Sequence, residues 1–296
     1  MIDRYLLRYF LAVIERGNFS KAATACNVSQ PTLSVGISKL EGVLGRTLFN
    51  RTNRRVELTE AGVRLAEHAR KIEAEFALAE REIQGITPVT TLRLGILASI
   101  PPEWIARFLA AAAPARPDHR VELVEGRERD LADQLARGRI DVALTILRQE
   151  NERLPREHLL TEGYSLAVAM DHPLALRHVI EAGELADNAM IVRKSCELLA
   201  ETSRFFTLRG VRPSFLARTS DESRALDYVR AGLGVTVMPD CFKAHGIARP
   251  RLADFDFERE IGLIYAAHAD QSRLQDQPLL RILKATIGDS RRSIAQ

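Results

Sequence analysis

Apolar residues in the first 45 positions recur every three or four residues, the spacing that places side chains on one face of an α-helix. The pattern predicts a first helix that stops at Gly17, a short alanine-rich helix over 21–26 and a third helix that ends at Gly45. Ser20 and Ser29 are the predicted N-caps of the second and third helices, because a serine hydroxyl can accept a hydrogen bond from a free backbone N–H. The predicted buried positions are Leu6, Phe10, Val13 and Ile14 in the first helix and Leu33, Ile37, Leu40 and Leu44 in the third.

The third helix is apolar on one face and mostly polar on the other. A turn at Asn27, a residue that tolerates left-handed backbone, joins it to the second helix. Two short helices joined in this way predict a helix-turn-helix, and any other small helical bundle is the alternative. The side chains expected to contact DNA from this part of the chain are Ser20, Ser29, Gln30, Pro31, Thr32, Ser34, Val35, Ser38 and Lys39.

Two short strand-like runs, 48–51 and 56–58, follow the third helix and flank a basic tip. A charged hairpin tip is usually only solvated, but a basic hairpin directly after a helix-turn-helix predicts a wing. Such a wing can reach the phosphate backbone or the minor groove of DNA. The wing residues expected to contact DNA are Arg51, Asn53, Arg54 and Arg55.

Three sequence segments stand out in the first 65 residues: FSKAA at 19–23, VSQPTLS at 28–34 and LTEAG at 58–62. Together they resemble the DNA-binding domain of LysR-type transcriptional regulators, which implies a winged helix-turn-helix. Val35 and Gly36 stand where that family often carries longer polar residues such as Arg or Gln. Val35 has no side-chain donor for a base. We therefore expect base recognition to depend on Gln30, Thr32, Ser34 and Ser38.

A long amphipathic run follows, with Thr59 as its predicted N-cap and an end near Gly85. A helix of this length measures about 40 Å at roughly 1.5 Å per residue. Its narrow apolar stripe consists of Ala61, Leu65, His68 or Ala69, Ile72, Phe76, Ala79 and Ile83. The stripe favours pairing with a second copy, and packing against its own domain is the alternative. The resemblance implies a dimerising linker helix, so we expect a homodimer or homotetramer on an imperfect palindrome.

From residue 91 onward the pattern changes to alternating strands and helices, which predicts an α/β body that begins with a parallel βαβαβ unit. The predicted boundaries are 1–58 for the DNA-binding domain, 59–87 for the linker helix and 88–296 for the effector domain. Within the effector domain, lobe I covers about 91–161 and 268–296, and lobe II about 162–267. The two lobes, with GRIDVA at 138–143 and AGLGV at 231–235, resemble the periplasmic-binding-protein-like effector domain of the same family.

Ligands of open α/β sheets bind beyond the carboxyl ends of the strands. That rule selects Ser99, Ile100, Arg127, Arg148, Arg193, Lys194, Ser195, Cys196 and Thr219, and Thr236 completes the expected effector-binding residues. The cations, and a predicted helix N-terminus at Ser195 and Cys196, favour a small anionic effector. The alternatives are that each arginine is only solvated and that Cys196, with a lowered pKa, senses oxidants.

Charge is unevenly distributed along the chain. The net charge is +3, but the first 60 residues contain nine Lys/Arg against five Asp/Glu, whereas residues 91–296 contain equal numbers. A basic terminal module on a neutral body is typical of a nucleic-acid-binding protein. The three cysteines form no CxxC pair, which favours reduced thiols in the cytoplasm. The apolar run at 9–14 is too short for a signal peptide or a membrane span.

Catalytic motifs are missing from the sequence. The seven histidines show neither HxH nor HExxH spacing, and neither GxSxG nor GxxxxGK occurs. We therefore expect no catalytic residue, no metal and no cofactor. The expected partners are double-stranded promoter DNA, a small-molecule effector, RNA polymerase and further copies of the chain, with no membrane. The alternative is a cytoplasmic solute-binding protein or an enzyme built on the same bilobal fold.

Overall fold

The computed structural model describes residues 1–51, 56–83, 90–115, 119–148, 154–267 and 274–294. The head begins with helices α1 (Arg4–Arg16), α2 (Phe19–Ala25) and α3 (Gln30–Leu44). Strand β1 (Phe49–Arg51) then pairs antiparallel with β2 (Val56–Leu58). Three helices followed by a two-stranded hairpin confirm the predicted winged helix-turn-helix.

The core of the head is apolar throughout. Leu6 and Phe10 of α1 pack with Leu33, Ile37 and Leu40 of α3, and none of these five side chains is exposed to solvent. The sequence pattern predicted all five as buried. Leu44 and Ile14, which were also predicted as buried, lie at the edge of this core and are only partly buried.

The two predicted serine caps have different outcomes. Ser29 caps α3 as predicted, because its side chain accepts a hydrogen bond from the Thr32 N–H at 3.2 Å. The prediction for Ser20 was wrong. The cap of α2 is Asn18, whose Oδ1 accepts from the backbone N–H groups of Ser20 and Lys21 at 2.8 and 3.2 Å. Asn18 has extended backbone, which aims its side chain at the free N–H groups of the first turn.

Helix α4 (Glu60–Ile83) extends from the head for about 36 Å, at roughly 1.5 Å per residue. Thr59 caps it as predicted, with Oγ1 accepting from the Gly62 N–H at 3.0 Å. Along its first half, Ala66 and Ala69 are buried against the head. Along its second half, Ile72 and Phe76 remain 40 % and 45 % exposed. The first half therefore packs into the core of the head, and the second half contacts α1 through Arg4, which pairs with Glu73 and lies over the Phe76 ring.

The effector domain alternates strands and helices in the predicted order. Its first part consists of β3 (Thr90–Leu97), α5 (Pro102–Ala112), β4 (His119–Gly126), α6 (Glu128–Ala136), β5 (Val142–Ile146) and β6 (Arg156–Ala169). Its second part consists of β7 (Val179–Ile180), β8 (Ala189–Arg193), α7 (Leu199–Leu208), β9 (Ser214–Thr219), α8 (Glu222–Arg230), β10 (Thr236–Pro239), β11 (Ile247–Ala248), β12 (Arg251–Leu252), β13 (Glu258–Tyr265) and α9 (Pro278–Ile294). Strand β3 pairs in parallel with both β4 and β5, which confirms the βαβαβ unit.

Strands β6 and β13 connect the two lobes. The large sheet has the order β10-β6-β13-β5-β3-β4, so β6 and β13 lie between the strands of lobe I and strand β10 of lobe II. The sequence pattern predicted a strand only from Tyr164 onward, but β6 begins at Arg156 and contains 14 residues. Exposed positions occur only in its first half, and their alternation shifts by one residue at Leu159 and Leu160, where the pairing with β13 is irregular.

Candidate functional site

Helix α3 presents an exposed polar face on the side opposite the core. Gln30, Thr32 and Ser38 are exposed, Ser34 is half-buried, and Val35 is 68 % exposed. Ser20, Ser29 and Pro31 are exposed as well. The structure therefore brings these predicted DNA contacts to the surface of one module.

Lys39, another predicted DNA contact, has partners on α1 and in the segment before it. Its Nζ donates to the hydroxyl of Tyr5 at 3.0 Å and lies 3.5 Å from Oδ2 of Asp3. These hydrogen bonds, Tyr5 first, raise the pKa of Lys39. The side chain remains half-exposed, so it can still face a phosphate.

Gly36 is not part of the exposed face. It is buried, and a Cβ at this position would lie 2.7 Å from Cδ2 of Tyr9 on α1. The Tyr9 ring occupies the space that a longer side chain at position 36 would need. Treating Gly36 together with Val35 as a surface position that lacks a polar contact was therefore wrong, and close helix packing is the physical reason for this glycine.

The wing is described only in part. The backbone of Arg51 lies at the end of β1. Asn53, Arg54 and Arg55, the other predicted wing contacts, lie outside the described residues.

The predicted effector residues of lobe I do not form one group of free cations. Ser99 and Ile100 follow β3 and are buried. Arg148 follows β5, and its Nε donates to both carboxylate oxygens of Glu128 at 2.8 and 2.9 Å. Arg127 is exposed in front of α6.

Arg193, at the end of β8, is buried inside lobe II. Its Nε and Nη2 pair with the carboxylate of Glu222, and Nη1 donates to the carbonyl oxygen of Val237 at 2.7 Å. Burial, the largest single effect, acts to lower the pKa of Arg193, but the charges of Glu222, Cys196 and Glu197 and the hydrogen bond to Glu222 together outweigh it, and the pKa is raised. Arg193 thus fixes α8 and β10 to β8 within the lobe.

The other predicted effector residues of lobe II bond mainly to neighbouring backbone. Thr236 donates to the carbonyl of Ile191 at 2.9 Å, and Ser195 donates to the carbonyl of Ser220 at 3.0 Å. Thr219 is buried and accepts from the Asp221 N–H at 3.0 Å, and Lys194 is exposed.

Cys196 differs from its prediction in two ways. Helix α7 begins at Leu199, three residues after Cys196, whereas the prediction placed Ser195 and Cys196 at the helix N-terminus. Burial raises the pKa of Cys196, and the positive charge of Arg193 opposes this shift without cancelling it. The predicted lowered pKa was therefore wrong, because desolvation of the thiolate is the larger effect.

The sequence reasoning missed Arg259, the buried residue at which the lobes meet. Its Nη1 donates to Oγ of Ser99 at 3.0 Å, and Nη2 donates to the Ser99 carbonyl at 3.1 Å. Its Nε donates to Oε1 of Glu162 at 2.9 Å, and Nη1 pairs with Glu197 in front of α7. One guanidinium therefore connects lobe I, lobe II and a connecting strand.

We call Ser99, Glu162, Tyr164, Glu197 and Arg259 the inter-lobe cluster. Burial, the largest single effect, opposes ionisation of Glu197, but the charges of Arg259 and Arg193 and the hydrogen bonds to the carboxylate together hold the pKa of Glu197 below its ordinary value of 4.5. Burial, and next the charge of Glu197, raise the pKa of Tyr164, whose hydroxyl donates to Oε1 of Glu197 at 2.8 Å. Glu197 and the guanidinium of Arg259 are thus charged at neutral pH.

Strand periodicity contained the signal for this cluster. Arg259, Ile261 and Leu263 alternate at a spacing of two, which places the arginine on the buried face of β13. Leu160, Glu162 and Tyr164 do the same on β6. Charged residues on the apolar face of two strands indicate a buried ion pair.

Lobe II also contains an open cavity of about 550 Å³ between α7 and strands β8 and β9. Phe206 of α7, Phe215 of β9 and Cys196 line it, together with the exposed Arg212 and Arg218. Among the described residues, no three His, Cys, Asp or Glu side chains are grouped as a metal site. No helix in the described part of the chain is long and apolar enough to cross a membrane.

Two family models match the chain. Residues 5–63 match the bacterial regulatory helix-turn-helix protein model of the lysR family, and residues 87–285 match the LysR substrate binding domain. A hydrogen peroxide-inducible genes activator of Pectobacterium carotovorum subsp. carotovorum is 30% identical over 236 residues, 79% of this chain and 78% of the relative. A probable activator of the same description from Mycobacterium avium is 32% identical over 268 residues, 88% of this chain and 86% of the relative.

Solved structures show the same fold. A full-length OxyR of Pseudomonas aeruginosa covers 97% of this chain and 95% of its own, with a TM-score of 0.67 at 22% identity. CbnR in complex with its target DNA covers 98% of this chain and 100% of its own, with a TM-score of 0.51 at 22% identity. The chain therefore belongs to the LysR family of bacterial regulators. It is a DNA-binding transcriptional regulator that an effector modulates and that assembles with further copies of itself.

Proposed function

We propose that α3 enters the major groove of promoter DNA and that Gln30, Thr32, Ser34 and Ser38 contact base edges there. The observation that supports this is the division of α3 into an apolar buried face and an exposed polar face. Ser20, Ser29, Pro31, Val35 and Lys39 complete the surface, and Arg51, Asn53, Arg54 and Arg55 reach the backbone from the wing. Because the exposed side chains of α3 are short, sequence-dependent DNA shape contributes more of the binding specificity.

A gel-shift assay on the gene's own upstream region tests this function. Wild-type protein should bind one fragment specifically, and the affinity should fall steeply with salt as phosphate counterions are released. Gln30→Ala should weaken specific binding by roughly 10-fold, as one lost base contact does. Ser203→Ala, in lobe II and far from the head, is the matched control. Absence of binding to every promoter fragment at low salt would contradict the proposal.

We further propose that the effector acts between the lobes, at the inter-lobe cluster. Arg259 touches Ser99 of lobe I and Glu197 of lobe II at once, so a ligand there would change how the lobes are oriented. Helix α4 would carry that change to a second head through its exposed half, where Ile72 and Phe76 pair with another copy. Ser99→Ala should alter the effector response and leave basal DNA binding intact.

A second candidate is a response to peroxide, which the relatives described as hydrogen peroxide-inducible genes activators suggest. Cys196 favours it through its position on the wall of the lobe II cavity. Peroxide would oxidise this thiol to a sulfenic acid and release water. Gel shifts with and without hydrogen peroxide test the idea, with Cys196→Ser as the variant and Cys26→Ser as the control. The raised pKa of Cys196 predicts that any such reaction is slow at neutral pH.

The remaining roles follow from promoter binding. We propose that the chain is not an enzyme, that it works in the cytoplasm where its DNA lies, and that it binds an imperfect palindrome as a dimer or tetramer. Contact with RNA polymerase is part of this proposal.

A further inference from the structure

The inter-lobe cluster already contains a negative charge in the place where an anionic effector would bind. Each of the three guanidinium nitrogens of Arg259 has an acceptor: Glu162 for Nε, Ser99 and Glu197 for Nη1, and Glu162 and Ser99 for Nη2. Two carboxylates surround this one guanidinium, and the three side chains are at most 5% exposed. An incoming anion would find no free donor on Arg259 and would meet an excess of negative charge.

The two carboxylates have different roles. Glu162 is held in place by the sheet, because it lies within β6 and its Oε2 accepts from the Cys241 N–H at 2.7 Å. Glu197 lies outside any strand or helix, in the segment between β8 and α7. Its Oε1 meets Arg259 and Tyr164, whereas its Oε2 is buried with no hydrogen-bond partner among the described residues.

We propose that Glu197 is an internal anion that occupies the anion position of the inter-lobe site and determines its specificity. This rests on the proposed effector role of the cluster. The site then rejects anionic effectors and accepts a neutral or cationic ligand that donates a hydrogen bond to Oε2. The small anionic effector expected from the sequence does not fit this site, because Arg193, the buried cation of that prediction, is paired with Glu222, and Arg148 is paired with Glu128.

Chemical rescue of Glu197→Ala tests the proposal on the full-length protein. The substitution leaves Arg259 buried beside a space of the size of a carboxylate, and it should lower the melting temperature by roughly 5 °C or more. Sodium acetate at about 100 mM should raise the melting temperature of this variant by about 2–3 °C over sodium chloride at the same ionic strength. The same exchange of salts should leave the wild-type protein unchanged.

Two controls make the rescue specific. Asp133→Ala removes an exposed carboxylate that lies 3.4 Å from Arg137, and acetate should not stabilise it, because that position is already open to solvent. Adding Arg259→Met to Glu197→Ala should abolish the rescue. If Glu197→Ala does not fold in chloride, its refolding yield in acetate gives the same information.

The possible outcomes separate clearly. Acetate rescue of Glu197→Ala that depends on Arg259 supports the internal anion. Equal stabilisation of wild type and variant by acetate, or no rescue in either the melting or the refolding assay, would overturn it. A failure of promoter binding would instead refute the proposed function, because the rescue is measured without DNA.

Discussion

The head and the effector domain of this regulator treat charged side chains in opposite ways. In the head every core residue is apolar, and the polar residues of α3 face solvent. In the effector domain Arg193 and Arg259 are buried, and each is paired with a carboxylate. A module that recognises an outside surface keeps its polar groups exposed. A module that couples two lobes buries its charged groups, because a buried ion pair has a defined geometry and breaking it costs free energy.

The largest expected effect distinguishes a buried from an exposed cation. Arg259→Met leaves Glu162 and Glu197 buried without a counter-charge, which should cost about 3–5 kcal/mol of unfolding free energy. Lys39→Met removes an exposed cation of the head and should leave the melting temperature unchanged within error. Chemical unfolding of both variants measures the loss of unfolding free energy. Equal losses would contradict the difference between the buried cation of the effector domain and the exposed cation of the head.

Two glycines of α3 allow a comparison within the head between a tightly packed position and an open one. Gly36→Ala should destabilise the protein by about 1–2 kcal/mol, because the new methyl group would collide with the Tyr9 ring. Gly42→Ala should stabilise it by roughly 0.5–1 kcal/mol, because a Cβ at Gly42 meets no described atom within 4 Å. Thermal unfolding measures the change in stability of the two variants. Stabilisation by Gly36→Ala would contradict the close packing of α1 on α3.

The helix caps should give effects of about 1 kcal/mol. Asn18→Ala removes the side chain that accepts from two free N–H groups of α2 and should lower the unfolding free energy by about that amount. Ser20→Ala removes no cap and should be close to neutral. Denaturant unfolding of both variants measures the loss of unfolding free energy. A larger loss from Ser20→Ala than from Asn18→Ala would show that Ser20 is the cap.

The smallest expected effect concerns pH. The pKa of Glu197 is lowered in the folded protein, so its ionised form stabilises the fold above about pH 4.5, and this stability is lost as the pH falls through the lowered value. Glu197→Gln lacks this dependence. The difference in melting temperature between wild type and Glu197→Gln should therefore shrink between about pH 6 and pH 3. A constant difference would mean that Glu197 is not the charged partner of Arg259.

Sequence by itself determined the head almost completely. The spacing of Leu6, Phe10, Leu33, Ile37 and Leu40 predicted the core, and Ser29 was identified as a cap, since these features depend on neighbours within a few residues. The prediction for Ser20 failed over a distance of two residues, because α2 begins at Phe19 and Asn18 is its cap. The parallel βαβαβ unit was predicted as well, from alternating patterns that are also local.

Only the tertiary structure decided the candidate effector site. Ser99 and Arg259 are 160 positions apart, and Glu162 and Arg259 are 97 apart. No local pattern states which carboxylate meets which guanidinium, because ion pairing depends on the register of β6 against β13. For the same reason Gly36, which as a sequence position suggests only a weaker helix, became a packing residue once Tyr9 was placed beside it. Local periodicity determines which face of an element is buried, and the packing of distant elements determines which charges that burial brings together.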